Sequence, residues 1–353
     1  AFGYVKNYFD DHNVVKRTAE IDRIARGCTG IRRSTGQHPG GIVIVPRDKE
    51  IYDFTPIQKP ANDMSVDTIT THFEYHAIDA NLLKLDILGH DDPTMIRRLE
   101  KLTDTNVQTD VPFDDEKVMS LFLSPEALGI TPDDIDGCPI GTLGLPELGT
   151  DFVIQMLVDT KPTKIADLLR VSGLSHGTDV WLGNAQTLIQ EGTCTISTAV
   201  CTRDDIMVYL MDKGIEPQVS FDIMEHVRKG RGLLTYKDKE TGEERQEEDV
   251  MREHNVPDWY IWSCKKIKYM FPKAHAAAYI MMALRVAWYK VYHPLAYYAA
   301  FFGIRAKAFD YETMCQGKEK LEYYMAELKR KKNNHEASKK AEDSLGDMRT
   351  VLE

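Results

Sequence analysis

A short apolar run that carries one lysine and one aspartate constrains the fold of this chain more than any other segment. Residues 82–88 read LLKLDIL, and residues 89–93 read GHDDP. Side chains alternate along a β-strand, so Lys84 and Asp86 would share one side and the apolar residues between them the other. A carboxylate at a strand end is a common divalent-metal ligand, and a nearby lysine can reach phosphate oxygens. The segment therefore indicates phosphate chemistry, with a plain Lys84–Asp86 ion pair as the open alternative.

The strand should end sharply and lead into a helix. Gly89 permits a turn, Asp92 is a good helix N-cap, and Pro93 suits the first helical position. From Thr94 onwards the apolar spacing is mostly helical. Helices are predicted over residues 95–102, 116–122, 152–158, 165–169, 204–211, 221–227, 259–267 and 276–291.

The part of the chain before Thr94 has a mixed pattern. Residues 1 to about 27 show the three-to-four spacing of a helix, whereas residues 41–46, 71–78 and 82–88 read as strands. The last two strands are close enough in sequence to form a hairpin. The chain is therefore predicted to be an α+β protein, and the charged residues 234–249 are predicted to form a surface hairpin or loop.

The distribution of charge points to a polyanionic partner. The 353-residue chain has a formal net charge of -11, but residues 254–307 hold eight Lys or Arg and one acid, Asp258. A basic segment in an acidic chain is a candidate surface for a nucleic-acid backbone. A solvated helix face is the alternative.

Cysteine usage and hydropathy favour a reduced, cytoplasmic protein. The six cysteines form no CxxC pair or zinc-finger spacing. The apolar stretch 274–302 is interrupted by Arg285, Lys290 and Pro294, so no membrane span is expected. No signal peptide is visible. Both ends look cut, since the chain starts within a helical pattern without Met and ends in a charged run at 318–353.

A glycine-rich motif at 173–177, GLSHG, matches the nucleophile-elbow pattern of α/β-hydrolases. That pattern needs a preceding strand, whereas residues 165–169 predict a helix, so an esterase is disfavoured. The glycines would instead let a ligand approach closely, with Ser175 and His176 as hydrogen-bond donors.

A second pattern has the residue types of a zinc site. His72, Glu74 and His76 alternate along a predicted strand, with His90 nearby. The favoured interpretation is the polar outer face of a hairpin. The zinc alternative underlies a rival function, a metal-dependent phosphodiesterase.

The segment 265–279, KKIKYMFPKAHAAAY, combines cations, aromatic residues and a proline that can start a helix. Lys273 and His275 would lie near the helix N-terminus, where free amides favour an anion such as a triphosphate. Tyr269 or Tyr279 could pack on a base or sugar. A basic surface helix with aromatic core contacts is the alternative. The chain has no GxxxxGK[ST] motif, so a Walker-type ATPase is not supported.

Taken in order, these segments resemble the bacterial replicative DNA polymerases of the C family, specifically the PolC type. The resemblance extends from the first residues to about residue 310, and the charged excursion at 234–249 is longer than the family's usual connection. It rests on RRSTGQHPGGIVIVP at 32–46, THFEYH at 71–76, LLKLDILGHDDP at 82–93, GLSHGTDVWLGNAQ at 173–186, CTRDDIMVYL at 201–210 and CKKIKYMFPKAHAAAY at 264–279.

The resemblance implies a domain arrangement. Residues 1–105 would be the C-terminal part of a palm of the polymerase-β-like nucleotidyltransferase fold, and residues 106–310 a mostly helical fingers domain. Residues 311–353 would be a charged helical segment leading out of the fingers, truncated in this chain.

The resemblance also implies template-directed DNA synthesis, in which a primer 3′-hydroxyl attacks the α-phosphate of a dNTP with two Mg²⁺ ions. Asp86 matches one catalytic, metal-binding aspartate of the family, whose other two precede this region. The isolated chain is therefore expected to be inactive. The implied partners are primer-template DNA, dNTP, the remaining domains of the polymerase chain, and the sliding clamp and replisome proteins through regions outside this segment.

Individual site residues follow from the motifs and the resemblance together. Besides the metal-phosphodiesterase, a non-catalytic nucleic-acid-binding module that uses only the basic segment is a rival function. Candidate nucleotide-binding residues are Lys84, Ser175, His176, Arg203, Tyr269, Lys273 and His275; candidate DNA-binding residues are Arg228, Lys229, Arg231, Lys265, Lys266 and Lys268.

Overall fold

The chain folds into two compact units, Ala1–His90 and Asp91–Glu353. The division lies before the boundary predicted at residue 105. The palm and fingers limits themselves remain predictions. Parts of the 32–46 motif and of the 234–249 excursion lie outside the described residues. The structure, a computed structural model, describes residues 2–29, 36–38, 40–87, 89–237, 242–333 and 338–353.

Two helices open the first unit, α1 (Phe2–Asp11) and α2 (Thr18–Gly27), and they pack through Val5 and Ile21. The single helix predicted over residues 1–27 is therefore wrong. The break follows from Asn13, which takes a left-handed conformation with φ 54°. Asparagine tolerates that conformation better than most residues and commonly ends a helix.

The strands of the first unit form two separate antiparallel pairs. Strand β1 (Gly41–Ile44) pairs with β4 (Leu83–Asp86), and β2 (Ile57–Gln58) pairs with β3 (Thr70–Thr71). In the first pair, Ile42 lies opposite Leu85.

The predicted hairpin between residues 71–78 and 82–88 is wrong. Residues Tyr75–Ala77 form a 3-10 turn, which Glu74 caps by accepting a hydrogen bond from the His76 amide at 3.1 Å. The Tyr75 hydroxyl accepts from the Lys84 amide at 3.2 Å and so occupies the strand edge that the hairpin partner would need.

The second unit is mostly helical and is built around one large core. This core contains fully buried residues such as Phe122, Leu168 and Tyr289. Its helices are α3 (Asp92–Thr103), α4 (Glu116–Ser120), α5 (Asp151–Thr160), α6 (Ile165–His176), α7 (Gln186–Gln190), α8 (Arg203–Asp212) and α9 (Pro217–Arg228), followed after the hairpin β5 (Thr235–Lys237) and β6 (Glu244–Gln246) by α10 (Glu247–Glu253), α11 (Asp258–Lys266), α12 (Lys273–Tyr292), α13 (Pro294–Ala300), α14 (Tyr311–Met314), α15 (Lys318–Asn333) and α16 (Lys339–Leu352).

Each of the eight predicted helices has an observed counterpart, and the local signals explain several boundaries. Thr202 caps α8 and exchanges hydrogen bonds with Asp205, which forms a capping box. The N-cap predicted at Asp92 is wrong, because Asp91 is the N-cap and α3 begins at Asp92. Asp92 is instead buried and paired with Arg305.

The charged C-terminal segment has a small core of its own, which its sequence pattern did not suggest. Met314, Leu321, Met325, Leu345 and Met348 are buried together where α14, α15 and α16 pack. Ion pairs join this segment to Asp136, which follows the 3-10 turn Pro132–Ile135, and to Asp151, the first residue of α5. They are Lys329–Asp136 at 2.5 Å, Lys332–Asp151 at 3.6 Å and Arg349–Asp151.

A buried ion pair holds the end of the segment against α12. The Lys290 and Glu353 side chains are both fully buried, with Nζ 2.6 Å from Oε2. The Lys290 ammonium also donates to the carbonyl oxygens of Gly141 and Leu143 at 2.9 and 2.7 Å, and the Tyr298 hydroxyl donates to Glu353 at 3.1 Å. This network fixes the start of the 141–149 loop.

The six cysteines are free thiols with contrasting environments. Cys28 in the first unit and Cys315 in the second are exposed, whereas the other four are buried. Burial raises the pKa of the Cys264 thiol to about 12 and raises that of Cys201 as well. None of the described helices is long and apolar enough to cross a membrane.

Candidate functional site

Lys84 and Asp86 share one face of β4, as the alternation predicts. Lys84 Nζ lies 3.5 Å from Asp86 Oδ1 and 4.9 Å from the centroid of the Tyr75 ring. The Asp86 carboxylate is half exposed, so it remains accessible despite this ion pair. The pair is therefore compatible with both the structural and the phosphate-handling interpretation.

His38 is a neighbour of Asp86 that the sequence analysis missed. Its Nε2 lies 3.9 Å from Asp86 Oδ1. A Cβ at Gly41, opposite Asp86, would lie 2.7 Å from His38 Nδ1 and 3.1 Å from Asp86 Oδ1. Glycine at position 41 therefore makes room for both side chains.

The opposite face of this strand pair is apolar and exposed. A β-sheet face of this kind normally packs on another layer. The exposed side chains are Ile42, Ile44, Leu83, Leu85 and Ile87.

The histidine and glutamate pattern at 72–76 does not form the predicted strand face. His72 Nδ1 is 2.6 Å from Gln58 Oε1, whereas His76 Nδ1 is 3.6 Å from Asp79, and Glu74 caps the 3-10 turn. The described ranges contain no group of three or more His, Cys, Asp or Glu that could hold a metal ion. The predicted strand that motivated the zinc alternative is therefore wrong.

In the second unit, the start of α12 is already an anion-binding position. Pro272 is the N-cap and Lys273 the first helical residue. The Lys273 amide donates to Asp204 Oδ2 at 2.8 Å, and its ammonium lies 2.9 Å from Asp205 Oδ1. Two carboxylates from the start of α8 thus face the amide and ammonium that were predicted to hold a triphosphate.

The segment before α12 is fixed by backbone hydrogen bonds to three other elements. Thr178 donates to the Tyr269 carbonyl at 2.9 Å, and the Met270 amide donates to the Arg228 carbonyl at 3.1 Å. The Arg203 amide donates to the Phe271 carbonyl at 3.3 Å. The predicted Arg203, Tyr269, Lys273 and the end of α9 are therefore brought together around this segment.

An aromatic row, formed by His176, Phe271, His275 and Tyr279, lies along the same segment before and at the start of α12. The rings of His176 and Phe271 are stacked, with centroids 4.7 Å apart and planes at 26°. The rings of Phe271 and His275 are nearly perpendicular, with centroids 4.7 Å apart, and the centroids of His275 and Tyr279 are 4.4 Å apart. Phe271 was not predicted as a site residue, although it stands between Tyr269 and Lys273 in the motif.

His176 has a carboxylate partner that sequence reasoning missed. Glu147 Oε2 lies 3.0 Å from His176 Nε2, and the other ring nitrogen lies 2.9 Å from the Ser172 carbonyl oxygen. The hydrogen bond to Glu147 is the main reason why the pKa of His176 is raised above its ordinary value. Ser175 Oγ also donates to the Ser172 carbonyl, at 2.9 Å.

The glycines of the GLSHG motif pack against protein rather than opening onto a ligand. The motif lies at the end of α6, so its serine is helical. A Cβ at Gly173 would lie 2.6 Å from Thr202 Cγ2, and one at Gly177 would lie 2.8 Å from the Tyr269 carbonyl oxygen. The predicted role of these glycines is therefore wrong, because close contact with α8 and the 268–271 segment accounts for them.

The predicted DNA-binding cations at the end of α9 have internal partners. Arg228 and Lys229 both pair with Glu225, and the Lys229–Glu225 distance is 2.8 Å. The hydrogen bond from Arg228 lowers the pKa of Glu225 to about 2. Arg231 is exposed.

Three exposed lysines, Lys265, Lys266 and Lys268, follow on α11 and the turn after it; we call them the lysine cluster. Lys265 pairs with Glu248 at 2.8 Å, and Lys266 donates to the Gly183 carbonyl at 2.7 Å.

Only some of the cations in the basic segment 254–307 lie on the surface. Lys290 is buried in the ion pair with Glu353, and Arg305 pairs with the buried Asp92. These two cations stabilise the fold, so they do not contribute to a surface for DNA.

Two family models match the chain. The bacterial DNA polymerase III alpha NTPase domain matches residues 4–89, and the bacterial DNA polymerase III alpha subunit finger domain matches residues 92–249.

Curated relatives match much more of the chain. The DNA polymerase III PolC-type of Caldanaerobacter subterraneus subsp. tengcongensis is 54% identical over 353 residues, which is 100% of this chain and 24% of the relative. The corresponding proteins of Clostridium perfringens and Staphylococcus haemolyticus are 57% and 58% identical over 95% and 91% of the chain, each match covering 22% of the relative. The chain thus spans about a quarter of the length of these relatives. It belongs to the PolC-type family of bacterial DNA polymerase III.

Proposed function

We propose that this chain is the part of a template-directed DNA polymerase that holds the incoming dNTP and one catalytic carboxylate. The observation that carries the proposal is the convergence of Arg203, Lys273 and an aromatic row at the start of α12. Together with the family membership, this arrangement favours a nucleotide, rather than a nucleic-acid backbone, as the ligand that binds at the start of α12.

The electrostatics of the α12 start support a triphosphate ligand. The Lys273 amide and ammonium already bind the carboxylates of Asp204 and Asp205. A triphosphate carries more negative charge than a carboxylate and has several acceptor oxygens, so it can compete for the same donors. Tyr269, which is exposed, and Phe271 would lie beside the base or sugar.

Asp86 is the proposed metal ligand of the first unit. Two Mg²⁺ ions in such an enzyme activate the attacking hydroxyl and stabilise the charge on the triphosphate. Asp86 offers one accessible carboxylate, and its neighbour His38 is not an oxygen ligand of the kind that Mg²⁺ prefers. The other carboxylates would come from the rest of the polymerase chain, and Lys84 would face phosphate oxygens.

The wider assignment follows the family. We propose that the first unit is the end of a palm of the polymerase-β-like type and that the helical part of the second unit is the fingers. The exposed apolar face of β1 and β4 supports a palm that other strands of the polymerase chain complete. Primer-template DNA and the sliding clamp would be partners of that whole protein, which we place in the cytoplasm.

Steady-state kinetics of the full-length polymerase tests the nucleotide site. Lys273→Ala removes a charged donor, which typically contributes about 1.5–3 kcal/mol, so the KM for dNTP should rise roughly tenfold or more. The dissociation constant for primer-template should change little. Lys101→Ala, on the exposed side of α3, is the matched control. An unchanged KM with weakened DNA binding would reassign Lys273 to the DNA backbone and favour a binding module.

Primer extension tests the assignment of Asp86. Asp86→Asn keeps the shape of the side chain and removes its charge, so the full-length variant should bind DNA but incorporate no nucleotide. The 353-residue chain alone should also be inactive, since it supplies one proposed metal carboxylate. Near-normal incorporation by the Asp86→Asn enzyme would make Asp86 a structural partner of Lys84.

A further inference from the structure

The 141–149 loop presents a glutamate to His176 in an unusual backbone conformation. Glu147 has φ 62°, in the left-handed region that glutamate rarely adopts. Such a conformation costs free energy and persists where its surroundings define it. Here the Lys290 ammonium holds the carbonyls of Gly141 and Leu143, and a Cβ at Gly149 would lie 2.8 Å from the Thr142 carbonyl oxygen. The loop is therefore tightly curled and fixed at its start.

This loop conformation directs one carboxylate at one ring nitrogen. Glu147 Oε2 and His176 Nε2 are 3.0 Å apart, and both side chains are about 30% exposed or less. His176 Nδ1 donates to the Ser172 carbonyl one helical turn earlier, at 2.9 Å. When both nitrogens donate, the ring is the imidazolium cation, and the adjacent carboxylate stabilises that form.

The His176 ring, held by these two hydrogen bonds, packs against Phe271. Because the two nitrogens of His176 are engaged by Glu147 and Ser172, its remaining large surface is the ring face, which stacks on Phe271 at 4.7 Å. Phe271 directly precedes Pro272 and Lys273, and its carbonyl accepts from the Arg203 amide. Its position thus affects the two cations that are proposed to bind the triphosphate.

We infer that Glu147 is a positioning residue for dNTP binding, which acts through His176 on the Phe271–Lys273 segment. This inference rests on the proposed nucleotide site and adds to it a residue distant in sequence from every motif. It also changes the expected role of His176 from a direct ligand of the triphosphate to a support for the residues that bind it.

The charged groups around His176 define the expected pH dependence. Glu147 reaches it from the 141–149 loop, His275 of α12 contacts the same Phe271 ring, and Lys273 at the start of α12 pairs with Asp205 of α8. The carboxylate of Glu147 raises the pKa of His176, so the imidazolium persists to higher pH than it would beside a neutral partner.

The test compares Glu147→Gln and Glu147→Asp in the full-length polymerase at pH 6 and pH 8. At pH 8, Glu147→Gln should raise the KM for dNTP about three- to tenfold, because a neutral acceptor stabilises the imidazolium less than a carboxylate. At pH 6 the higher proton concentration favours the imidazolium in both enzymes, so the change should be smaller than at pH 8. The value of kcat and the primer-template affinity should change little. Glu147→Asp keeps the charge and should restore much of the wild-type KM.

A double-mutant cycle and two controls complete the experiment. In a His176→Gln background, Glu147→Gln should have no further effect, since the two residues act through one contact. Glu126→Gln, an exposed glutamate of the same unit, should leave the KM unchanged at both pH values. Lys273→Ala, measured alongside, reports on the proposed nucleotide site itself.

Three results would overturn the inference. The first is an unchanged KM for Glu147→Gln at pH 8 while Lys273→Ala raises it. The second is an equal change in KM and kcat at both pH values, which indicates a merely structural role. The third is a full effect of Glu147→Gln in the His176→Gln background. An unchanged KM for Lys273→Ala would instead contradict the proposed nucleotide site, and with it the role of Glu147.

Discussion

The buried ion pair between Lys290 and Glu353 gives a stability prediction that the structure makes quantitative. In Lys290→Met, a side chain of similar length fills the space of the lysine stem, so little cavity forms. The variant nevertheless leaves the Glu353 carboxylate buried with Tyr298 as its remaining hydroxyl donor, and it leaves the carbonyls of Gly141 and Leu143 without the ammonium.

The magnitude follows from the groups that lose their partner. Removing one member of a buried pair typically costs about 3–5 kcal/mol, because an uncompensated charge stays in the interior. Each buried carbonyl that loses a hydrogen bond contributes roughly 1–3 kcal/mol to the same total. We therefore expect Lys290→Met to lower the free energy of unfolding of the second unit by at least about 3–5 kcal/mol, with the two carbonyls adding to that figure.

Urea unfolding followed by tryptophan fluorescence measures this change selectively. All four tryptophans lie in the second unit, at positions 181, 259, 262 and 288. Linear extrapolation then gives the free energy of unfolding in water. Lys101→Met, on the exposed side of α3, is the control and should stay within about 0.5 kcal/mol of the wild type.

The double variant Lys290→Met with Glu353→Leu separates the effect of the unpaired carboxylate from the effect of the lost hydrogen bonds to the two carbonyls. Replacing both charges by apolar side chains removes the unpaired carboxylate, so the double variant should be more stable than Lys290→Met alone. A loss of less than about 1 kcal/mol for Lys290→Met would refute the reasoning. A double variant less stable than the single one would show that Glu353 does not depend on Lys290.

Three further predictions concern packing, pH and salt. Gly173→Ala should destabilise the second unit by about 1–3 kcal/mol, because the added Cβ would meet Thr202. Gly346→Ala on α16 adds a Cβ into open space and should be neutral or slightly stabilising, and the urea midpoints of the two variants compare them. The pKa of Glu225 is about 2, against an ordinary 4.5, so the stability that its ionised form contributes is complete above pH 4.5 and is lost as the pH falls towards 2. In Glu225→Gln the urea midpoint should therefore change less between pH 6 and pH 3 than it does in the wild type. Neutralising the lysine cluster in the full-length polymerase should reduce the log-log salt slope of duplex binding by roughly 0.9 for each lost phosphate contact; an unchanged slope would make these lysines merely solubilising.

The local signals in the sequence predicted most of what depends on neighbouring residues. Alternation placed Lys84 and Asp86 on one face, and Pro272 marked the start of α12. The helical spacing after Thr94 identified eight helices of the second unit, because their apolar faces all pack into one core.

The sequence could not show which distant elements meet. Strand β4 could pair with any nearby strand, and the choice of β1 depends on the 3-10 turn that Glu74 caps and on the hydroxyl of Tyr75. Likewise, Glu147 lies in a loop without a motif, and only the fold brings it to His176. A glycine next to polar residues, such as Gly173, looks the same in sequence whether it faces a ligand or a neighbouring helix.

The contrast among the cysteines makes the chain suitable for labelling with two fluorophores. Thiolates are the reactive form, so the buried thiols, of which Cys201 and Cys264 have raised pKa values, should react slowly with maleimides. Cys28 and Cys315 are exposed, and each belongs to a different unit. A donor and an acceptor dye on these two native positions would therefore report the distance between the units by energy transfer, with no cysteine introduced into this part of the polymerase.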